Sequence, residues 1–287
     1  MKITYLCNSE YHNMKICVTG NRGFIGKALQ LKLEKQGFIV LGIDTWIFEK
    51  GDWRFNLKDY ITKINPEVVF HVGACSNTQN KNVSEVMKLN VESTFIISDW
   101  CKLNNVPLIF SSSASVEGNQ GIPETLYAWS KYVGEKYVLA NGGLALRYFN
   151  VYGHYELHKG KMSSVALQAY QKNKWGEKVT IFPKNPQRDF VYITDVVEAN
   201  IYAWNNYKTL SGKYYHVGSG KARTFEDVMN CLKIPFEYTD ESEIPENYQF
   251  FTEAKQENFM EGWNPRFQLE EGLEEYLAHM KVFTFHP

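Results

Sequence analysis

Gly20-Asn21-Arg22-Gly23-Phe24-Ile25-Gly26 stands between an apolar run and an amphipathic one, and no other segment restricts the fold as much. The run before it, Lys15–Thr19 (KICVT), has the apolar, β-branched make-up of a short buried strand. The run after it, Phe24 to Gln36, puts Ile25, Leu29 and Leu33 on one helical face and stops at Gly37. Glycines between a strand and a helix allow a tight turn and close backbone approach to a pyrophosphate. The free N–H groups of the helix's first turn attract that anion. The spacing is G-x-x-G-x-x-G rather than G-x-G-x-x-G, so its meaning comes from its position after a strand and before a helix.

The same alternation continues. Phe38–Ile43 reads as a second strand ending on Asp44, and Glu67–His71 as a third, announced by Asn65-Pro66 and ending in Gly73-Ala74. A long amphipathic helix is expected from Ser84 to Leu103 and a fourth strand over Val106–Phe110, ending in Ser111-Ser112-Ser113. A helix over Tyr127–Leu139 and a strand over Gly143–Tyr148 complete the series. Strands and helices alternating at this spacing predict an α/β doubly wound parallel sheet, the Rossmann arrangement, with helices on both faces. After Asn150 the rhythm loosens. Residues 1–150 are therefore expected to form the dinucleotide-binding domain and 151–287 a smaller substrate lobe, with segments near 189–217 free to rejoin the first. Asp195 with Glu198, and Thr224 with Asp227, have the spacing of capping boxes at helix starts. Residues 1–13 form an extension with no assigned role.

Composition narrows the classes of function. The length of 287 residues suits two lobes or one large α/β unit, and a net charge of −1 offers no footprint for nucleic acid. No run approaches the roughly 18 apolar residues of a membrane helix, and the start lacks a secretory signal's apolar core. A soluble, cytoplasmic chain is expected. Five scattered cysteines without a C-x-x-C pair indicate neither a disulfide framework nor a zinc site. His154 and His158 lack a third ligand, so no metal is expected. The aromatic fraction of 15% reads first as an aromatic core.

Two groups of residues carry chemistry. Asp44, at the end of the second strand, is placed to hydrogen-bond a ribose 2′-hydroxyl, which favours NAD. Lys50 nearby could offset the repulsion of a 2′-phosphate, so NADP stays open. Asp52 and Trp53 are candidates to meet the adenine. Tyr127-Ala-Trp-Ser-Lys131 puts a phenol and an ammonium one helical turn apart. A free tyrosine titrates near ~10, and the lysine cation, together with a positive nicotinamide, is expected to favour the phenolate. Ser113 is the natural third member, hydrogen-bonding the substrate oxygen. Such a Tyr–Lys–Ser set readies an alcohol for hydride loss to NAD or NADP.

GNRGFIG, HVGACSN, SSSASVEG and the Tyr127/Lys131 pair together resemble the extended short-chain dehydrogenase/reductases, the NAD-dependent epimerase/dehydratase family, which modify nucleotide sugars. RYFNVYGHYELHKGKMSSVA, QRDFVYITDV and NYQFFTEA resemble the branch that epimerises C6″ of ADP-glycero-manno-heptose, and the likeness runs from Met14 to the C-terminus.

The resemblance implies catalytic roles for Ser113, Tyr127 and Lys131, and a second acid–base role for Lys159. Two such groups are needed because inversion through a planar carbonyl presents its oxygen in two positions. The resemblance further implies cofactor contacts from the glycine turn (Gly20, Gly23, Gly26) with Phe24 and Ile25. The turn Gly73, Ala74, Cys75 and Ser76 would contribute as well, with Asn90 and Val151. Substrate contacts would come from Asn150, Arg188 and Tyr248. The partner is then a small nucleotide sugar, and a homo-oligomer is expected.

This chain departs from the pattern at Lys161 and Gln168, both at substrate-contact positions. Glu117 replaces a tyrosine that would wall the nicotinamide, and the segment after Asp44 is shorter. A 4-epimerase, 4,6-dehydratase or reductase on the same scaffold, and a non-catalytic dinucleotide-binding protein, are the alternatives.

Overall fold

The computed structural model describes residues 14–118, 121–244 and 248–283. Strand β1 (Lys15–Thr19) leads through the glycine turn into α1 (Phe24–Lys35) and then β2 (Ile39–Ile43). A 3-10 turn (Thr45–Phe48) and α2 (Trp53–Ile64) follow, then β3 (Val68–His71). Helix α3 (Val83–Val86) runs through a π-helical segment (Met87–Glu92) into α4 (Ser93–Leu103). Next come β4 (Leu108–Ser113), α5 (Leu126–Ala140), β5 (Leu144–Tyr148) and β6 (Asn150–Tyr152). The chain continues with α6 (Val165–Lys174), β7 (Thr180–Ile181), β8 (Gln187–Tyr192), α7 (Ile193–Asn205) and α8 (Tyr207–Leu210). It closes with β9 (Tyr214–Val217), β10 (Ala222–Thr224), α9 (Phe225–Leu232), β11 (Glu237–Tyr238) and α10 (Leu269–Phe283).

Six strands pair in parallel in the order β2-β1-β3-β4-β5-β9. Their central members are buried almost end to end, as branched apolar runs with helices on both faces must be. Alternation along each strand divides the core. Ile16, Val18, Phe70 and Leu146 join Leu29 and Leu33 of α1 on one face. Cys17, Val69, Phe110 and Ala145 join Leu57 and Ile61 of α2 and Ile97 and Trp100 of α4 on the other. A smaller sheet, β10-β8-β6, is built from the later half of the chain.

Two local expectations change. The fourth strand starts at Leu108 rather than Val106, and it ends, as expected, in the three serines, where Ser111, Ser112 and Ser113 pair with Leu146, Arg147 and Tyr148 of β5. Asp195 does not cap a helix: β8 feeds straight into α7, whose N-cap is Tyr192. Asp195 falls inside the first turn, and its carboxylate instead accepts the backbone N–H groups of Arg266 and Phe267, each at 3.0 Å. The Thr224–Asp227 capping box is formed in full. Among the described residues, no helix is long and apolar enough to cross a membrane.

Candidate active site

Strand order reverses between β1 and β3, and an open parallel sheet has its crevice beyond the carboxyl ends of the strands at such a point. Here the backbones of Gly20 and Gly73 touch: a Cβ on Gly20, whose φ is +66°, would sit 2.6 Å from the Gly73 Cα. A Cβ on Gly26 would lie 2.1 Å from the Gly20 carbonyl oxygen, so the turn closes onto α1 only with glycine there. No side chain caps α1, which leaves its first-turn N–H groups to whatever occupies the crevice.

The crevice is a cleft of about 460 Å³. Gly20, Gly23, Phe24, Ile25 and Gly26 line one wall, and Gly73, Ala74, Cys75 and Ser76 line another. Asp44 stands at one end, its carboxylate accepting the N–H of Arg22 at 3.0 Å and of Thr45 at 2.8 Å. A tight glycine cradle, an uncapped helix start and a carboxylate at the end of the second strand fit a nicotinamide dinucleotide.

A directed hydrogen-bond chain runs beneath the second wall. Thr94 Oγ1 donates to the Asn90 carbonyl at 2.6 Å, so toward His71 Nε2, 2.9 Å away, it can only accept. His71 Nδ1 is then the unprotonated nitrogen and accepts from Thr19 Oγ1 at 2.7 Å, which in turn accepts the Gly73 N–H at 2.9 Å. Burial, with the Lys131 charge second, pushes the His71 pKa down to about 3, in keeping with a neutral ring.

Asn90 sits in the π-helical segment and is 1% exposed. Its Oδ1 accepts the Cys75 N–H at 2.7 Å, and its Nδ2 donates to the Cys75 carbonyl and to Ser130 Oγ. It braces the Gly73–Ser76 turn against α5 from below rather than facing the cleft.

Helix α5 presents Tyr127, Lys131 and Glu135 at successive four-residue steps, with Thr125 capping its start. Lys131 is 3% exposed, and its Nζ donates to the Ser111 carbonyl at 2.8 Å, 4.9 Å from the Phe110 ring centre. Burial lowers its pKa to about 7. Tyr127 hydrogen-bonds Ser113, yet burial outweighs that bond and raises the phenol pKa, and Cys75 adds to the rise. The expected lowering of Tyr127 by Lys131 is thus absent in the chain alone, because desolvation acts on both groups and drives both toward neutrality. Ser113 reaches the cleft through Tyr127, and its Oγ also accepts from Ser115 N–H at 3.2 Å.

Lys159 enters from a different element, the 3-10 segment Leu157–Met162, and lines the same cleft with its Nζ 5.4 Å from the Phe24 ring centre. Burial lowers its pKa, and the Glu156 charge works against that. His158 accompanies it.

Other candidates lie elsewhere. Asp52 caps α2, and Trp53, 7% exposed, packs into the core against Phe48, which lines the cleft in its place. Asn150, Val151, Lys161 and Gln168 lie outside the cleft lining, and Gln168 Nε2 donates to the Lys161 and Ser163 carbonyls. Arg188, 9% exposed, sits with its guanidinium 5.0 Å from the Tyr248 ring centre, so those two form a separate pair on the later half of the chain.

Glu117 is no bare gap in a nicotinamide wall. Its Oε1 lies 3.0 Å from Arg147 Nη1 and 2.7 Å from His216 Nε2, and Arg147 also binds Glu135. Sequence reasoning missed this cluster. The signal for Glu135 was its place one further turn along the Tyr127–Lys131 face. His71, also missed, was the one polar residue closing an apolar strand.

Known proteins resemble this chain over most of its length. The family model described as NAD dependent epimerase/dehydratase family matches residues 16–218. The ADP-L-glycero-D-manno-heptose-6-epimerase of Brachyspira hyodysenteriae is 34% identical over 256 residues, covering 76% of this chain and 80% of that protein. The crystal structure of the Helicobacter pylori enzyme of the same name superposes with a TM-score of 0.83 at 27% identity, covering 96% of this chain and 99% of that one. A Thermotoga maritima UDP-glucose 4-epimerase shares the fold, with a TM-score of 0.79 at 23% identity over 94% of this chain and 99% of that one. With its glycine cradle, its Tyr127–Lys131 helix and this match over most of its length, the chain belongs to the NAD-dependent epimerase/dehydratase family.

Proposed function

We propose that this chain inverts C6″ of an ADP-glycero-manno-heptose, with Tyr127 and Lys159 as acid–base groups on two sides of the reacting carbon. The observation that carries the reading is that α5 and the Leu157–Met162 segment, far apart in the chain, bring Tyr127 and Lys159 to one cleft. The similarity to two heptose 6-epimerases supports the choice of sugar.

Bound NAD supplies the acceptor and donor of hydride. Ser113 holds Tyr127, whose phenolate takes the hydroxyl proton as C6″, a secondary carbinol, is oxidised to the ketone. Lys131, fixed on the Ser111 carbonyl one turn along, supplies the positive charge that the phenolate form requires. Once the planar carbonyl has turned, Lys159 donates a proton to its oxygen as C6″ is reduced from the opposite face. Arg188, over Tyr248, belongs on this reading to the nucleotide end of the substrate, with Asn150, Lys161 and Gln168 as further contacts from residues 151–287. Asp44 favours NAD over NADP, since a 2′-phosphate would face its carboxylate.

The test is to incubate the protein with ADP-D-glycero-D-manno-heptose and NAD and to follow C6″ by NMR. Conversion to the L-glycero epimer is expected, and it should be lost in Tyr127→Phe. An unchanged C6″, alongside turnover of a UDP-sugar at C4, would overturn the choice of substrate.

A further inference from the structure

Lys159 is delivered by a segment with no apolar anchor of its own. None of the residues Leu157–Met162 is buried, and the stretch around them takes positive φ at Gly153 (+140°), Tyr155 (+74°) and Gly160 (+51°). Its 3-10 turns are broken at Gly160, so no continuous helical ladder fixes it, and no side chain of Leu157–Met162 is fully buried.

Glu156 meets that need. It is 0% exposed, and its carboxylate gathers four donors. Oε1 accepts Gly153 N–H at 3.2 Å, Ser164 Oγ at 2.7 Å and the Tyr276 hydroxyl of α10 at 3.0 Å. Oε2 accepts Ser164 N–H at 2.5 Å. Gly153 and Ser164 are the two ends of the segment, so one carboxylate closes the loop and clamps it to α10. Ser164 in turn caps α6, accepting Leu167 N–H at 3.2 Å, and the Glu156 carbonyl accepts the Lys159 N–H at 2.9 Å. A buried carboxylate with several donors is an expensive group unless all of its bonds are made, and here they all serve one segment.

We propose that Glu156 is the positioning residue for Lys159, tying both ends of its segment so that proton transfer on the Lys159 side of the cleft depends on Glu156 while transfer on the Tyr127 side does not. This rests on the two-base reading given above. It predicts an asymmetry that a merely structural carboxylate would not produce. Glutamine in its place keeps the volume but turns an N–H₂ group toward donors, so the segment loosens while the sheet and α5 keep their contacts.

The experiment measures single-turnover oxidation of each C6″ epimer separately by NAD-loaded full-length protein, following the absorbance of the reduced nicotinamide. Tyr127→Phe should slow one epimer and Lys159→Ala the other. Glu156→Gln should follow Lys159→Ala, slowing the same epimer by about ten- to a hundredfold, as a misplaced catalytic group does, and leaving the other within about twofold. Tyr276→Phe, which removes one of the four donors, should act in the same direction with a smaller effect, and it serves if Glu156→Gln does not fold. If Lys159→Ala slows both epimers alike, or neither, the two-base reading fails. If Lys159→Ala is selective but Glu156→Gln and Tyr276→Phe slow both epimers equally, or neither, that reading stands and the positioning role of Glu156 is overturned.

Discussion

Glu135 takes one edge of the Arg147 guanidinium at the carboxyl end of the sheet, with Nη2 2.6 Å from one carboxylate oxygen and Nε 2.9 Å from the other. Ser112 Oγ adds a third bond at 2.6 Å, and the guanidinium lies 3.6 Å from the Tyr214 ring centre. The pair locks α5 onto β4 and β5 on the very face that carries Tyr127 and Lys131. Removing Glu135 leaves the buried Arg147 with Glu117 as its remaining carboxylate and Ser112 without its acceptor. Glu135→Ala should therefore lower stability by about 3 kcal/mol, the low end for a broken buried pair. Denaturant unfolding measures it, and a loss below about 1 kcal/mol would show that the pair is dispensable.

Lys131 should make stability depend on pH in a defined direction. The folded chain releases its proton near pH 7, and an unfolded lysine does so near ~10.4. Between those values the unfolded state binds more protons, so this group makes stability rise with pH. Lys131→Met should flatten the rise and abolish turnover, while leaving the protein at about pH 6 no less stable than its parent. Urea melts across that range decide it, and equal slopes in the two proteins would refute the buried, readily deprotonated ammonium.

His71 sets a second pH window. Its folded pKa of about 3 lies below the ~6.5 of an unfolded histidine, so its contribution is present above ~6.5 and is lost as pH falls toward 3. His71→Leu should be less stable at neutral pH, because Thr19 and Thr94 lose their partner, yet should lose less on acidification. His154, whose pKa burial lowers to about 4, remains in both proteins, and the difference in slope isolates His71. An unchanged acid slope would mean that the ring is already solvated.

Asp44 should decide between the two nicotinamide cofactors. The parent should bind NAD more tightly than NADP. Asp44→Asn should narrow the gap by about tenfold, ~1.4 kcal/mol, by removing the negative charge that faces a 2′-phosphate. Equilibrium titration with each cofactor tests this, and a parent that prefers NADP would reverse the assignment.

Much of this molecule could be read before its coordinates. The glycine turn, the alternation around it and the Tyr127–Lys131 step are local patterns, set by periods of two and 3.6 residues. What escaped was set by three-dimensional company. Trp53 looked available to a ligand because nothing local says that α2 turns it into the core. Asn90 looked like a contact, but the π-helical segment aims its amide at Cys75 and Ser130. Asp195 had the spacing of a cap and lost that role because β8 runs directly into α7. Glu117 looked like a missing aromatic, whereas its partners, Arg147 and His216, come from β5 and β9, well separated from it along the chain.

The place of β9 bears on how the chain is made. β5 pairs along one edge with β4 and along the other with β9, and everything from β6 to α8 is synthesised between β5 and β9. During translation, then, the cofactor sheet waits with β5 as a bare edge until Tyr214–Val217 emerges. Unpaired strand edges are sites of mistaken association. A fragment ending at Asn150 would keep the glycine cradle, Tyr127 and Lys131 but would hold that edge open permanently. The cleft residues of the first half therefore depend on a strand from the second to cover the β5 edge, with β9 then standing at the rim of the sheet.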